Sequence, residues 1–152
     1  MNLVFVRHGQ SIWNLKNKFT GWVDIGLSDQ GIQEAITAGK TLIENNFIPE
    51  ICFTSYLSRS IETSNHLLNE YEKALINEIN IIKRWQLNER HYGALTGLNK
   101  DEMKKKFGEK KILEFRRSWN IKPDPLSKIS PYHPSNIGAY KNLPKENIPD
   151  TE

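Results

Sequence analysis

Three short apolar runs, Leu3–Val6, Ile51–Thr54 and Ile79–Ile82, alternate with two stretches of helical periodicity. This alternation constrains the fold more than any other feature. The runs are short and rich in β-formers, and the first is apolar without interruption, as expected for a strand buried on both faces. Between the first two, Ser28 is placed to cap a helix whose apolar face is Ile32, Ala35, Ile36, Gly39, Leu42 and Ile43. Between the second and third, Leu57, Ile61, Ser64, Leu68 and Tyr71 fall on one helical face. Strand, helix, strand, helix, strand predicts an α/β fold with a mostly parallel central sheet and helices on both faces.

The later sequence adds helices but no strand. Trp85–Gly97 reads as a loop, Asn99 caps a helix towards Phe107, and another runs from Glu109 to about Trp119. From Ile121 onward the chain carries six of its seven prolines and little periodicity, so residues 121–152 are expected to be irregular and mobile. Three strands make a small parallel sheet. The expectation is therefore one domain, residues 1–152, whose remaining strands lie outside the sequence.

Composition narrows the class. A chain of 152 residues is long enough for one real core. The apolar start is too short for a signal peptide, and no stretch could span a bilayer. The single cysteine, Cys52, excludes an internal disulfide and fits a reducing compartment, hence a cytoplasmic protein. Set in an apolar run, it reads as a buried inert thiol. No His/Cys cluster has metal-ligand spacing. Between Lys83 and Lys122 twelve basic residues face five acidic ones, although the whole chain carries only +3. That favours an anionic partner, while Lys104–Lys106 and Lys110–Lys111 read as a solvated helix face.

The candidate chemistry lies where the apolar runs stop. The first ends at Arg7-His8-Gly9-Gln10-Ser11 and the second at Thr54-Ser55-Tyr56-Leu57-Ser58-Arg59. The third leads into Trp85-Gln86-Leu87-Asn88-Glu89-Arg90-His91-Tyr92-Gly93. In a parallel sheet all three turns open on one edge, where ligands bind. Guanidinium groups match phosphate oxygens in a fork, so Arg7 and Arg59 suit a phosphoryl group. Taken singly these residues stay ambiguous: Arg59 also reads as a surface arginine, Glu89 as half of an ion pair, and Tyr92 as core.

The longer stretches carry a resemblance. Arg7-His8-Gly9 looks like the signature of the histidine phosphatase superfamily. More specifically, Arg7-His8-Gly9-Gln10-Ser11-Ile12-Trp13-Asn14, Phe19-Thr20-Gly21-Trp22, Leu87-Asn88-Glu89-Arg90-His91-Tyr92-Gly93 and Phe115-Arg116-Arg117-Ser118 resemble the 2,3-bisphosphoglycerate-dependent phosphoglycerate mutases, in register over essentially the whole chain. The resemblance implies interconversion of 3- and 2-phosphoglycerate in glycolysis and gluconeogenesis through a phosphohistidine. It implies His8 as nucleophile, Glu89 as the proton-transfer carboxyl, and Arg7 and Arg59 on the phosphoryl oxygens, all in one pocket. Gln10, Ser11, Asn14, Thr20, Gly21, Arg90, Tyr92, Lys100, Arg116 and Arg117 would bind substrate. The primer would be 2,3-bisphosphoglycerate, with no metal, no nucleic acid and no membrane partner. A homo-oligomer is compatible with the sequence, which does not fix the oligomeric state.

The family also has a second catalytic histidine in a His-Gly-Asn motif, and nothing here replaces it. His133 matches a mobile-loop position, His66 falls in a helix, and His91 lies in the Glu-Arg-His-Tyr stretch. Gln86, Ser60 and Ala139 stand where basic, alanine and basic residues are expected. This chain alone is therefore expected to be a weak catalyst or none. A phosphatase of the same superfamily, and an inactive remnant or binding module with a basic face, are the alternatives.

Overall fold

A computed structural model describes residues Asn2–Glu152. The chain divides into two compact units: Met1–Ile12 with Asp24–Asn88, and Trp13–Val23 with Glu89–Glu152.

The first unit is the α/β part. Helix α2 (Asp29–Glu44) follows a four-residue helix α1 (Ile12–Leu15). The Ser28 hydroxyl accepts from the Gly31 N–H and caps α2 as predicted. Strand β1 (Ile51–Thr54), helix α3 (Ser58–Leu68), the single turn α4 (Lys73–Ile76) and strand β2 (Asn80–Lys83) come next. The strands pair in parallel, with Ile51 opposite Asn80 and Thr54 opposite Lys83. Helix α3 packs on α2 and on β1. Leu67, Leu68, Tyr71 and Ile79 are buried together, with Ala38, Leu42, Cys52, Leu75 and Ile76 packed against them. Tyr71 belongs to this core from the turn beyond α3, its hydroxyl donating to the Phe47 carbonyl.

One expectation is corrected here. Leu3–Val6 is not a strand, and among the described residues the parallel sheet has two strands rather than three. Leu3 and Phe5 are 69% and 89% exposed instead of buried on both faces. A strand is defined by its ladder, and among the described residues β1 pairs only with β2. The run has strand composition but no second backbone to bond.

The second unit packs around Phe19, Tyr92, Leu95, Met103 and Ile112, with Phe115 against them. Helices α5 (Lys100–Phe107) and α6 (Glu109–Arg117) supply Met103 and Ile112. Asn99 Oδ1 accepts from the Asp101 and Glu102 N–H groups, the expected cap. Gly108 joins the two helices at φ 83°, a left-handed conformation that glycine adopts without steric cost. Residues 121–152 contain no α-helix or strand, only the short 3-10 turns Pro134–Asn136, Gly138–Tyr140 and Lys145–Asn147. Tyr140 packs on Trp22 at 5.0 Å between ring centroids, and its hydroxyl donates to the Trp22 carbonyl. His133, set in the same segment, is buried: Nε2 donates to Asp150 and Nδ1 accepts from the Ser135 N–H.

Candidate active site

In the first unit the turn carrying His8 is fixed from both sides. Gly9 N–H donates to Thr63 Oγ1 on α3, and that hydroxyl donates to the Arg59 carbonyl one turn earlier. Gln10 N–H donates to Glu34 on α2, and the Ser28 N–H and hydroxyl both donate to the Gln10 carbonyl. The backbones meet without side chains between them. A Cβ on Gly31 would lie 2.1 Å from the Gln10 carbonyl oxygen, and one on Gly9 2.2 Å from that of Gly31. The Arg7-His8-Gly9 turn therefore sits directly on the first turn of α2.

This placement sets the chemistry of His8. Its Nδ1 is 2.7 Å from the Gly9 carbonyl, which can only accept, so Nδ1 carries the proton. In the neutral ring the lone pair is then on Nε2, the arrangement a nucleophilic imidazole needs. His8 is half-buried and lines a cavity of about 720 Å³ together with Ser55, Arg84 and Gln86, which follow the ends of β1 and β2.

Arg59 is fully buried on α3, so the surface-arginine reading is excluded. Arg7 is exposed beside His8. The Gln10 side chain accepts from the Ser28 hydroxyl, and Ser11 is buried in a bridge to Leu27; both hold the turn in place. Two residues that the sequence did not single out matter here. Asp24 accepts from the Ser58 N–H and hydroxyl at the start of α3, the element carrying Arg59. Arg84 lines the cavity with His8. Position alone could have pointed to Arg84, the first residue after β2; nothing local marks Asp24, which is distant in sequence from the helix it caps.

In the second unit, Glu89 accepts from the Tyr92 hydroxyl at 3.2 Å. Burial pushes the Tyr92 pKa up, and Glu89 adds to the rise, while Arg116 and Arg117 oppose it. Glu89, Arg116 and Arg117 thus all bear electrostatically on the Tyr92 hydroxyl. Tyr92 also packs on Phe19 at 5.2 Å, and the Lys100 ammonium lies 6.0 Å from the Phe19 ring centroid. Gly21 backs onto the same loop: a Cβ there would lie 3.2 Å from the Arg90 carbonyl and 3.3 Å from the Tyr92 nitrogen. Among the described residues, the buried Thr20 hydroxyl has no hydrogen-bond partner. Asn14 begins the turn that leads to Asn17.

Arg90 is used differently. Its Nε donates to the Glu152 carbonyl, Nη1 to Ser118 and Nη2 to Ile121. The guanidinium fork therefore ties three backbone segments together. His91 is fully buried, its Nδ1 accepting from the Gly93 N–H. Burial, reinforced by nearby His133, lowers its pKa to about 4.

The model of the histidine phosphatase superfamily (branch 1) matches residues 3–131. The chain belongs to the histidine phosphatase superfamily. A 2,3-bisphosphoglycerate-dependent phosphoglycerate mutase of Pelagibacter ubique is 56% identical over 151 residues, covering 99% of this chain and 62% of that protein. The protein of the same name from Nautilia profundicola is 51% identical and covered over 64% of its length. The chain thus spans about three-fifths of the length of the curated relatives it matches. Among solved structures, Bacillus stearothermophilus YhfR aligns with a TM-score of 0.57 at 28% identity, covering 72% of this chain and 50% of that one. A mycobacterial glucosyl-3-phosphoglycerate phosphatase complexed with VO3 aligns at 0.56 and 25% identity, covering 66% and 46%.

Proposed function

We propose that this superfamily member takes part in the interconversion of 3- and 2-phosphoglycerate, with His8 as the phosphoryl carrier and 2,3-bisphosphoglycerate as the primer. The observation that carries the reading is the His8 Nδ1–Gly9 hydrogen bond, because it leaves the attacking lone pair on Nε2 before any substrate arrives. In the priming step Nε2 forms a bond to phosphorus as the phosphate-ester P–O bond breaks and the protonated Glu89 carboxyl gives its proton to the leaving oxygen, releasing a monophosphoglycerate. In the return step the hydroxyl of a monophosphoglycerate attacks phosphorus, the Nε2–P bond breaks with its electron pair returning to Nε2, and Glu89 takes the hydroxyl proton. Arg7 and Arg59 neutralise charge on the transferring oxygens, the preorganised electrostatic contribution that dominates such transfers. Gln10, Ser11, Asn14, Thr20, Gly21, Tyr92, Lys100, Arg116 and Arg117 bind or shape the ligand. Arg90 serves by holding the Glu89–Tyr92 loop. High sequence identity to proteins named as mutases supports this reading.

The test is a single-turnover label transfer. The chain is incubated with 2,3-bisphosphoglycerate labelled in its phosphoryl groups, then chased with unlabelled 3-phosphoglycerate. The reading expects label on the protein, absent in His8→Asn, that moves to phosphoglycerate. Glu89→Gln should slow the chase at least tenfold. Label that persists in His8→Asn, or that is released only as inorganic phosphate, overturns the reading.

A further inference from the structure

Two buried histidines of the second unit, His91 and His133, take no part in the proposed phosphoryl chemistry. Both use the ring in the same way. His91 Nδ1 accepts from the Gly93 N–H and His133 Nδ1 from the Ser135 N–H, so each ring caps the backbone two residues on. A nitrogen that accepts carries no proton, so in the neutral ring the proton is on Nε2. In His91 that N–H has, among the described residues, no acceptor. In His133 it points at the Asp150 carboxylate, 2.8 Å away. Among the described residues, this is the only hydrogen bond to the Asp150 carboxylate. Because the Ser135 N–H decides which His133 nitrogen carries the proton, the donor towards Asp150 is set locally.

Residues 150–152 are bonded on two sides. On one, the Asp150 carbonyl accepts from the Leu126 N–H and the Thr151 hydroxyl donates to the Pro123 carbonyl. On the other, the Glu152 N–H donates to the His91 carbonyl, the His91 N–H to the Glu152 carboxylate and Arg90 Nε to the Glu152 carbonyl. Gly93 lets these pieces close up, since a Cβ there would lie 2.1 Å from the Asp124 carbonyl oxygen and 2.8 Å from Thr151 Oγ1. Residues 150–152 are thus a strap on Arg90 and His91, the two residues between Glu89 and Tyr92, whose side chains are bonded to each other. We propose that His133 is a positioning residue: through Asp150 it seats this strap, and the strap fixes the Glu89 carboxyl and the Tyr92 hydroxyl for proton transfer. The inference rests on the reading of Glu89 as the proton-transfer carboxyl.

The test compares His133→Leu, which removes the donor, with His133→Gln, whose amide still donates, and with Asn136→Ala. Asn136 belongs to the same irregular segment, but its side chain donates to the Lys128 and Ser130 carbonyls. Transfer of label from the protein to 3-phosphoglycerate should slow roughly tenfold or more in His133→Leu, as misplacement of a reacting group does. It should recover in His133→Gln and stay at the wild-type rate in Asn136→Ala. In a Glu89→Gln background His133→Leu should add little, because both changes disable one group. Asp150→Ala, at a side chain 42% exposed, removes the same bond from its solvent side and should reproduce His133→Leu where that variant does not fold. Carbon-13 NMR of the Tyr92 ring gives a readout that needs no phosphoryl transfer. The Tyr92 pKa, raised by burial and by Glu89, should fall towards its ordinary value of about 10 in His133→Leu and Asp150→Ala, and not in Asn136→Ala. Equal slowing in Asn136→Ala, full multiplication of the His133→Leu and Glu89→Gln effects, or an unmoved Tyr92 titration overturns the proposal. If the wild type takes no label, the phosphoryl reading fails by itself, and the Tyr92 titration decides whether His133 seats the Glu89–Tyr92 stretch.

Discussion

Replacing Gly31 by alanine should destabilise the protein, although helix statistics predict the reverse. Gly31 is in the first turn of α2, and alanine in a helix is ordinarily favoured over glycine by about 1 kcal/mol. Here the added methyl carbon would stand 2.1 Å from the Gln10 carbonyl oxygen and 2.8 Å from the Gln10 nitrogen. Both are backbone atoms, so relief requires the Arg7–Ser11 turn to move by more than 1 Å from α2. Overpacking of this kind costs roughly 1–3 kcal/mol. Displacing the turn also weakens the bonds from Ser28 to the Gln10 carbonyl, each worth about 1 kcal/mol. The costs exceed the propensity gain, and a net loss of roughly 1–3 kcal/mol is expected, or about 2–4 °C in Tm for each kcal/mol. The assay is urea unfolding monitored by circular dichroism, with Gly138→Ala as control, since no atom lies within 4 Å of a Cβ there. Gly138→Ala should be neutral or slightly stabilising. If Gly31→Ala matched or exceeded the wild type in stability, the close approach of turn and helix would be refuted.

Three further outcomes follow from the same geometry. Thr63→Val removes the acceptor of the Gly9 N–H and should cost about 1–3 kcal/mol and slow phosphoryl transfer to His8, with Thr63→Ser restoring both; unfolding and label-transfer rates check it. Arg90→Lys, unable to span the Glu152, Ser118 and Ile121 carbonyls, should lower stability by roughly 2 kcal/mol and expose residues 121–152 to proteolysis; unchanged digestion would count against the clamp. His91, lowered to about 4 in the fold, resists a proton that the unfolded chain accepts near the ordinary pKa of 6.5. The unfolded state therefore binds more protons between these values. Stability is full above pH ~6.5 and falls by up to about 3 kcal/mol as pH drops towards ~4, a loss that His91→Asn should remove.

Local physics was readable from the sequence, and long-range partnership was not. Ser28 and Asn99 cap the helices they were expected to cap, because a cap depends on residues two or three positions away. Ile51–Thr54 forms its strand as predicted, and Asn80–Lys83 forms one residue later than expected. Leu3–Val6 failed for the opposite reason: its β-rich composition is real, but the ladder needs a neighbour that lies elsewhere in space. The candidate site shows the same division. His8 and Glu89 were visible because unusual residues stand where apolar runs end. The use of Arg90 as a clamp on residues 118–152 was invisible, since its partners are backbone carbonyls, which every sequence contains. The burial of Arg59 likewise reflects packing that no helical period specifies for an arginine.

The ring nitrogen through which His8 attacks is fixed by its bond to the Gly9 carbonyl. The decisive measurement is nitrogen-15 and phosphorus-31 NMR of the chain after reaction with 2,3-bisphosphoglycerate. The Gly9 carbonyl bond predicts a single phosphohistidine, on His8, with phosphorus on Nε2 and the proton retained on Nδ1. Phosphorus on Nδ1, or on His66, His91 or His133 instead, would contradict it.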